Sequence, residues 1–278
     1  MELSKKIICI NDLSGIGRCS LMVAIPILSV MGIQSVAVPT ALLSAHTGFP
    51  NYSFFDFTDN MPDYLNNLSK LNMEFDMIYS GFLGGDRQIE IVLNFVKSHK
   101  SSKFLCDPVM GDNGEIYGTY TAKMCSEMKE LVKNADIITP NITEACILLD
   151  IKYPGENICL DKAKDMAKKL SKQGPEIVIL TGIKPDNKNI INFAYLKNED
   201  KFIVYKSLKS KTDYPGTGDI FASIIAGCLV KDISLENALK TASDFIKEAS
   251  DITSLTPSPK YCGIMFEKIL YKLSGELL

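Results

Sequence analysis

Apolar positions along the chain fall into two regimes, short continuous runs and longer stretches at helical spacing. The first run, 7–10, ends at Asn11-Asp12-Leu13-Ser14-Gly15 and predicts a buried strand with its exit loop. Residues 17–31 carry Leu21, Met22, Ile25, Leu28 and Met31 at helical spacing, and Pro26 is expected to kink that helix. A second strand is expected at 36–38. The stretch 41–56 is rich in Ser, Thr, His, Gly and aromatics with no clear period, which predicts a loop or flap over a site.

Helical spacing returns at 60–72, followed by a strand at 76–81, a helix at 86–98 and a strand at 103–108. Residues 111–120 read as loop, 121–133 as helix and 135–138 as strand. Pro140-Asn141-Ile142-Thr143-Glu144 opens a short helix. After a linker at 152–158, a helix at 160–173 leads to a strand at 176–180. Segments 190–197 and 201–206 predict a hairpin across Asn198-Glu199-Asp200. Helices are expected at 217–231, 235–250 and 261–274.

Strands alternating with helices of about 10–15 residues mean parallel βαβ units. The hairpin adds an antiparallel edge. The expected fold class is α/β, a mostly parallel central sheet in one domain over 1–278, because no composition shift or repeat marks a boundary. Ligands of such sheets sit outside the carboxyl ends of the strands. Asp12, Asp107, Asn141, Glu144 and Thr181 all fall at predicted strand ends.

Composition narrows the partners. Of 278 residues 46% are hydrophobic, enough for a sizeable core, and a net charge of −3 without a basic stripe argues against nucleic acid. The run 7–10 is too short for a secretory leader, and no stretch of about 18 apolar residues suggests a membrane span. None of the eight cysteines forms a C-x-x-C pair, as expected of reduced thiols in a cytoplasmic protein, and two histidines are too few for a histidine metal cluster.

The chemistry concentrates at Asp213-Tyr214-Pro215-Gly216-Thr217-Gly218-Asp219. A Gly-Thr-Gly loop entering a helix points free N–H groups at one spot and suits an oxyanion or a transferring phosphoryl group. A carboxylate there, Asp219, is repulsive unless it has a task, such as taking a proton from an attacking hydroxyl. It could equally be a favourable first-turn acid. Asp107-Pro108 is either a turn or a carboxylate for a Mg²⁺–water site. Asn141-Ile142-Thr143-Glu144 is either a capping box or a place where Glu144 meets a Mg²⁺-bound water. His46, in the 41–56 stretch, is either structural or a contact to a small heteroaromatic substrate. No Walker A sequence or dinucleotide fingerprint is present.

Asp107-Pro108-Val109-Met110-Gly111-Asp112, Thr139-Pro140-Asn141-Ile142-Thr143-Glu144 and Gly216-Thr217-Gly218-Asp219 resemble the ribokinase-like superfamily in order and spacing. The segment 40–49 and Ser80-Gly81-Phe82-Leu83-Gly84 are similar to those of pyridoxal kinases. The resemblance implies a three-layer fold with helices on both sheet faces, and a homodimer. It implies ATP-dependent phosphorylation of the 5′-hydroxymethyl group of pyridoxal, pyridoxine or pyridoxamine, with Mg²⁺ and a monovalent cation such as K⁺.

Position by position, Asp219 matches the general base, and Gly216, Thr217 and Gly218 the anion hole. Asp12, Ser14, His46, Thr47 and Phe82 match the substrate pocket. Asp107, Asn141, Glu144 and Thr181 match the ATP site, Asp107 and Glu144 also lying near Mg²⁺. Asn11-Asp12 with Ser14-Gly15 also resembles the hydroxymethylpyrimidine kinases of thiamine synthesis, and a non-catalytic pyridoxal-phosphate binder is a further alternative.

Overall fold

The computed structural model describes residues 4–155, 157–210 and 212–274. In chain order the elements are β1 (Lys6–Ile16), α1 (Leu21–Val30), β2 (Gln34–Ala45), β3 (Phe54–Asp56), α2 (Met61–Lys70), β4 (Met77–Ser80), α3 (Asp86–Ser98) and β5 (Lys103–Cys106). There follow β6 (Gly111–Asp112), β7 (Glu115–Ile116), α4 (Ala122–Lys133), β8 (Ile137–Ile138), α5 (Ile142–Leu149) and α6 (Leu160–Ser171). The last are β9 (Ile177–Ile183), β10 (Asn189–Leu196), β11 (Lys201–Leu208), α7 (Thr217–Val230) and α8 (Leu235–Ser254). The chain divides into two compact units, Met1–Gly81 with Ser210–Leu278, and Phe82–Lys209.

In the first unit the strand order is β4-β1-β2-β3, with β1 parallel to both neighbours and β3 antiparallel on β2. Residues 7–10 of β1 are all 0% exposed. Burial of consecutive residues means both faces of the strand are covered, as a parallel strand requires. Helix α1 packs on β1 and β2, and α7 packs on α1 and α8.

In the second unit the order is β11-β10-β9-β8-β5. Strands β5, β8 and β9 run parallel, and β10 and β11 form the expected antiparallel edge. The hairpin turns through a 3₁₀ turn at Lys197–Glu199, with Asp200 in the left-handed region at φ 45°. That conformation is tolerated by Asp better than by most residues. The α/β class with a mostly parallel sheet is as the sequence predicts.

Three expectations are corrected. Strand β1 does not end at Ile10. It runs on to Ile16 through a register shift between Asn11 and Leu13, paired with an equally extended β2. The polar residues that read as a loop are buried: Asn11, Asp12 and Ser14 bond one another inside the unit. The stretch 41–56 is likewise not all loop, because β2 continues to Ala45 and β3 returns along it. Residues 261–274 form no α-helix. Two 3₁₀ turns, Lys260–Cys262 and Glu267–Leu273, are separated by Gly263 at φ 75°, which breaks any continuous helix. Smaller revisions are the two-residue ladder β6–β7 within the expected loop 111–120 and the extension of β9 to Ile183.

Candidate active site

Helix α7 starts abruptly. Gly216 is its N-cap with φ 83°, and a Cβ there would stand 1.7 Å from the Arg18 carbonyl oxygen, so conformation and space both demand glycine. The first helical bond runs from Ile220 N–H to Gly216 O at 3.0 Å. The N–H groups of 217–219 therefore lie ahead of the helical ladder, at the positive end of the helix. Gly218 is exposed, nothing lies within 4 Å of the place its Cβ would occupy, and no side chain among the described residues caps the helix from Gly216. Thr217 is half-buried, its hydroxyl donating to Tyr214 O at 3.4 Å.

Asp219, in that first turn, is half-buried. Asn11 Nδ2 donates to its Oδ1 at 3.3 Å, and the Ser20 backbone N–H donates to the same carboxylate. Burial, with a smaller push from the Asp12 charge, raises its pKa to about 6 despite those donors. A carboxylate so tuned is ionised at neutral pH yet basic enough to take a proton.

Asp12 is not at a strand end but within β1. Its Oδ2 accepts from Ser14 Oγ at 2.7 Å and its Oδ1 from Ser20 Oγ. Burial is the main cause of its raised pKa. Ser14 is fully buried. The expected pair Asp12 and Ser14 is thus joined to Asp219 through Ser20 and Asn11, neither of which the sequence reading singled out for this role.

His46 has both ring nitrogens engaged. Gly48 N–H donates to Nδ1 at 3.0 Å, and Nε2 lies 2.7 Å from Tyr261 O. A donor on one side and a carbonyl on the other place the proton on Nε2. The ring sits between two glycines, since a Cβ on Gly17 would approach its Cδ2 to 2.1 Å and one on Gly48 its Cε1 to 2.7 Å. Phe49 packs edge-on against it with centroids 4.9 Å apart, and Phe49 in turn meets Tyr261 at 4.7 Å. Thr47 beside it is exposed. Arg18 holds the same terminal segment, its Nε bonding Glu267 at 2.6 Å and its Nη1 donating to Cys262 O at 3.1 Å. Nothing in the periodicity of 261–274 signals this role.

The second unit gathers the other expected residues. Asn141 and Glu144 form the capping box of α5: Asn141 Oδ1 accepts from Glu144 N, while Glu144 Oε2 accepts from Asn141 N at 2.8 Å. Glu144 Oε1 also accepts from Met110 N at 3.2 Å. Thr139 Oγ1 donates to Asp107 Oδ1 at 2.8 Å. Burial and then the nearby Asp107 charge hold the Glu144 carboxyl well above the usual carboxylate range. Thr181 bridges to Asn141 in parallel, its N–H donating to Pro140 O at 3.1 Å. Phe82 packs edge-on to Tyr120 with centroids 6.3 Å apart.

Among the described residues no group of three or more His, Cys, Asp or Glu could enclose a metal. Two buried carboxylates that repel one another suit a different arrangement, a hydrated divalent cation that keeps most of its ligands as water and phosphate. Asp107 and Glu144 fit Mg²⁺ in that sense.

The family model for phosphomethylpyrimidine kinase matches residues 28–261. A Bacteroides thetaiotaomicron protein provisionally assigned as a phosphomethylpyrimidine kinase superposes with a TM-score of 0.94 at 41% identity, covering 98% of this chain and 94% of that one. Its orthorhombic form, with pyridoxal, gives 0.92 at 40% identity, covering 98% and 96%. A pyridoxal kinase of Dictyostelium discoideum is 29% identical over 265 residues, 87% of this chain and 84% of its own length. A hydroxymethylpyrimidine/phosphomethylpyrimidine kinase of Aquifex aeolicus is 29% identical over 225 residues, 78% and 83% of the two chains.

Proposed function

This chain belongs to the phosphomethylpyrimidine kinase family, and from that premise we propose that it is an ATP-dependent kinase acting on the 5′-hydroxymethyl group of pyridoxal and related B6 vitamers. The observation that carries the reading is Asp219, a carboxylate of pKa about 6 in the first turn of a helix whose leading amides lie ahead of its hydrogen-bond ladder. The pyridoxal in a neighbour of 40% identity selects the substrate class.

Asp219 takes the proton of the hydroxymethyl group. The alcohol oxygen forms its bond to the terminal phosphorus of ATP, the bond from that phosphorus to the bridging oxygen breaks, and ADP leaves. The amides of Thr217 and Gly218, placed by the Gly216 N-cap, meet the charge that develops on the transferring group. Asp12, whose oxygens are held by Ser14 and Ser20, raises the basicity of Asp219. His46 fixes the segment bearing Thr47 and Phe49, and Thr47 contacts the vitamer.

In the second unit Asp107, Asn141, Glu144 and Thr181 serve the nucleotide. Asp107 and Glu144 would hold Mg²⁺ through its water. Bound there, the ion would supply positive charge to the phosphates.

We read 1–278 as a single kinase domain working as a homodimer in the cytoplasm. Eight free thiols support a reducing compartment. Exposed apolar side chains on the β2–β3 edge support self-association: Leu42 pairs with Phe55, which is 65% exposed. No helix among the described residues is long and apolar enough to cross a membrane.

Hydroxymethylpyrimidine phosphorylation is the second reading, favoured by the Aquifex relative. ATP consumption with pyridoxal, pyridoxine, pyridoxamine and hydroxymethylpyrimidine offered side by side decides between them. The expected order puts a B6 vitamer first. A faster reaction with hydroxymethylpyrimidine overturns the substrate, and ADP release with none of the four overturns the kinase.

A further inference from the structure

Asn11 sits on β1 at the register shift before Leu13 and is 1% exposed. The Asp12 backbone N–H donates to its Oδ1 at 3.0 Å, which identifies the acceptor end of the amide and turns the NH₂ the other way. That NH₂ donates to Asp219 Oδ1 at 3.3 Å. Gly81, just beyond the adjacent strand β4, reserves the space. A Cβ at 81 would stand 2.3 Å from Asn11 Nδ2 and 2.8 Å from its Cγ. Its backbone cannot simply withdraw, because Gly81 N–H bonds to Ile10 O at 2.9 Å.

We infer that Asn11 is a positioning residue for phosphoryl transfer: its amide, seated in the space that Gly81 leaves, aims the Asp219 carboxylate at the hydroxyl it deprotonates. The inference rests on Asp219 being the base. Its physical basis is that, among the described residues, the other donor to the Asp219 carboxylate is the Ser20 backbone N–H, and a single bond leaves a carboxylate free to rotate. A second donor from another element removes that freedom. The titratable groups acting around Asp219 are Asp12 on β1 and the Cys19 thiol ahead of α1. Asn11 opposes the Asp12 charge by favouring the ionised carboxylate.

Asn11→Ala and, separately, Gly81→Ala are assayed for kcat, for KM of pyridoxal and ATP, and for the acidic limb of kcat/KM. Both are expected to lower kcat by roughly 10- to 100-fold, the worth of a hydrogen bond to a charged group, with KM within about threefold. The acidic limb moves to higher pH in both, and the double variant falls no further than Asn11→Ala. Gly81→Ala changes no polar group, so a matching effect separates aim from chemistry. Should it not fold, the kcat and pH limb of Asn11→Ala decide alone, and wild-type values for both overturn the inference. Asp219→Asn is run beside them. Collapse of that variant with an unaffected Asn11→Ala overturns only the positioning role, whereas retained turnover in Asp219→Asn overturns the base and this inference together.

Discussion

The Arg18 carbonyl oxygen stands where a side chain on residue 216 would begin, 1.7 Å from the position of a Cβ. The loop before α1 and the loop before α7 are therefore packed backbone to backbone, and the amides of 217–219 inherit their position from that contact. Gly216→Ala meets both this clash and a left-handed φ of 83°. It is expected to lower turnover by more than about 100-fold while destabilising the fold by roughly 1–3 kcal/mol. Activity and a thermal melt measured together check it, and wild-type turnover would remove the loop from the mechanism.

Asp219 couples function to stability with opposite signs. Its pKa is raised to about 6, so the folded state gains from protonation, and this stability is lost as pH climbs through about 6. Turnover needs the ionised form, so kcat/KM is expected to fall below pH about 6. Asp219→Asn should then lose nearly all turnover yet melt at the same or a higher temperature at pH 8, while binding ATP within a few-fold. A variant that loses stability at pH 8 as well as activity contradicts this account.

A similar conflict arises at Asp107 and Glu144. The Glu144 carboxyl is raised by burial and by the Asp107 charge, so folding is penalised as pH rises above the ordinary carboxylate range. Asp107→Asn keeps an oxygen for the Thr139 hydroxyl and removes that repulsion. The expected result is an unchanged or higher melting temperature at pH 8, with turnover at least about tenfold lower because phosphate charge is less well neutralised. Stabilisation by Mg²⁺ with ATP, read from the same melts, should shrink in the variant. Equal stabilisation in both proteins would take Asp107 out of the nucleotide site.

His46 ties Gly48 to Tyr261 through its two ring nitrogens. His46→Ala removes both bonds and the edge contact to Phe49. KM for the vitamer is expected to rise about tenfold, with kcat changed far less, because the base and amides are elsewhere in the unit. Limited proteolysis should also cut faster within 46–53. An unchanged KM would leave His46 a purely structural residue.

The pairing of Leu42 with Phe55 puts two apolar side chains opposite one another on an exposed edge. Leu42→Asp with Phe55→Asp is expected to shift the protein from dimer to monomer in sedimentation velocity at micromolar concentration. A monomeric wild-type protein under those conditions excludes the homodimer.

Much of this was legible beforehand. Helix α3 occupies the expected 86–98, and the hairpin of β10 and β11 closes at Asn198-Glu199-Asp200, because local spacing and turn residues act over a few neighbours. Asn11-Asp12-Leu13-Ser14 misled for the opposite reason. Polarity signals a loop only when the polar groups meet water, and these meet Ser20, Asp219 and one another. The 261–274 stretch misled because its apolar spacing suits an α-helix, whereas Gly263 and the anchoring of Cys262 and Glu267 by Arg18 impose another path.

By itself the sequence determined the alternation of strands and helices, the glycine-led entry to α7 and the acid that follows it, since each depends on residues adjacent in the chain. Only the tertiary structure decided what surrounds that acid. Asn11 lies 208 residues before Asp219, and a bond between them exists only because β1 and α7 fold into one unit. The basicity of the carboxylate comes from burial and from a second acid on another element, and neither is written in the neighbours of residue 219.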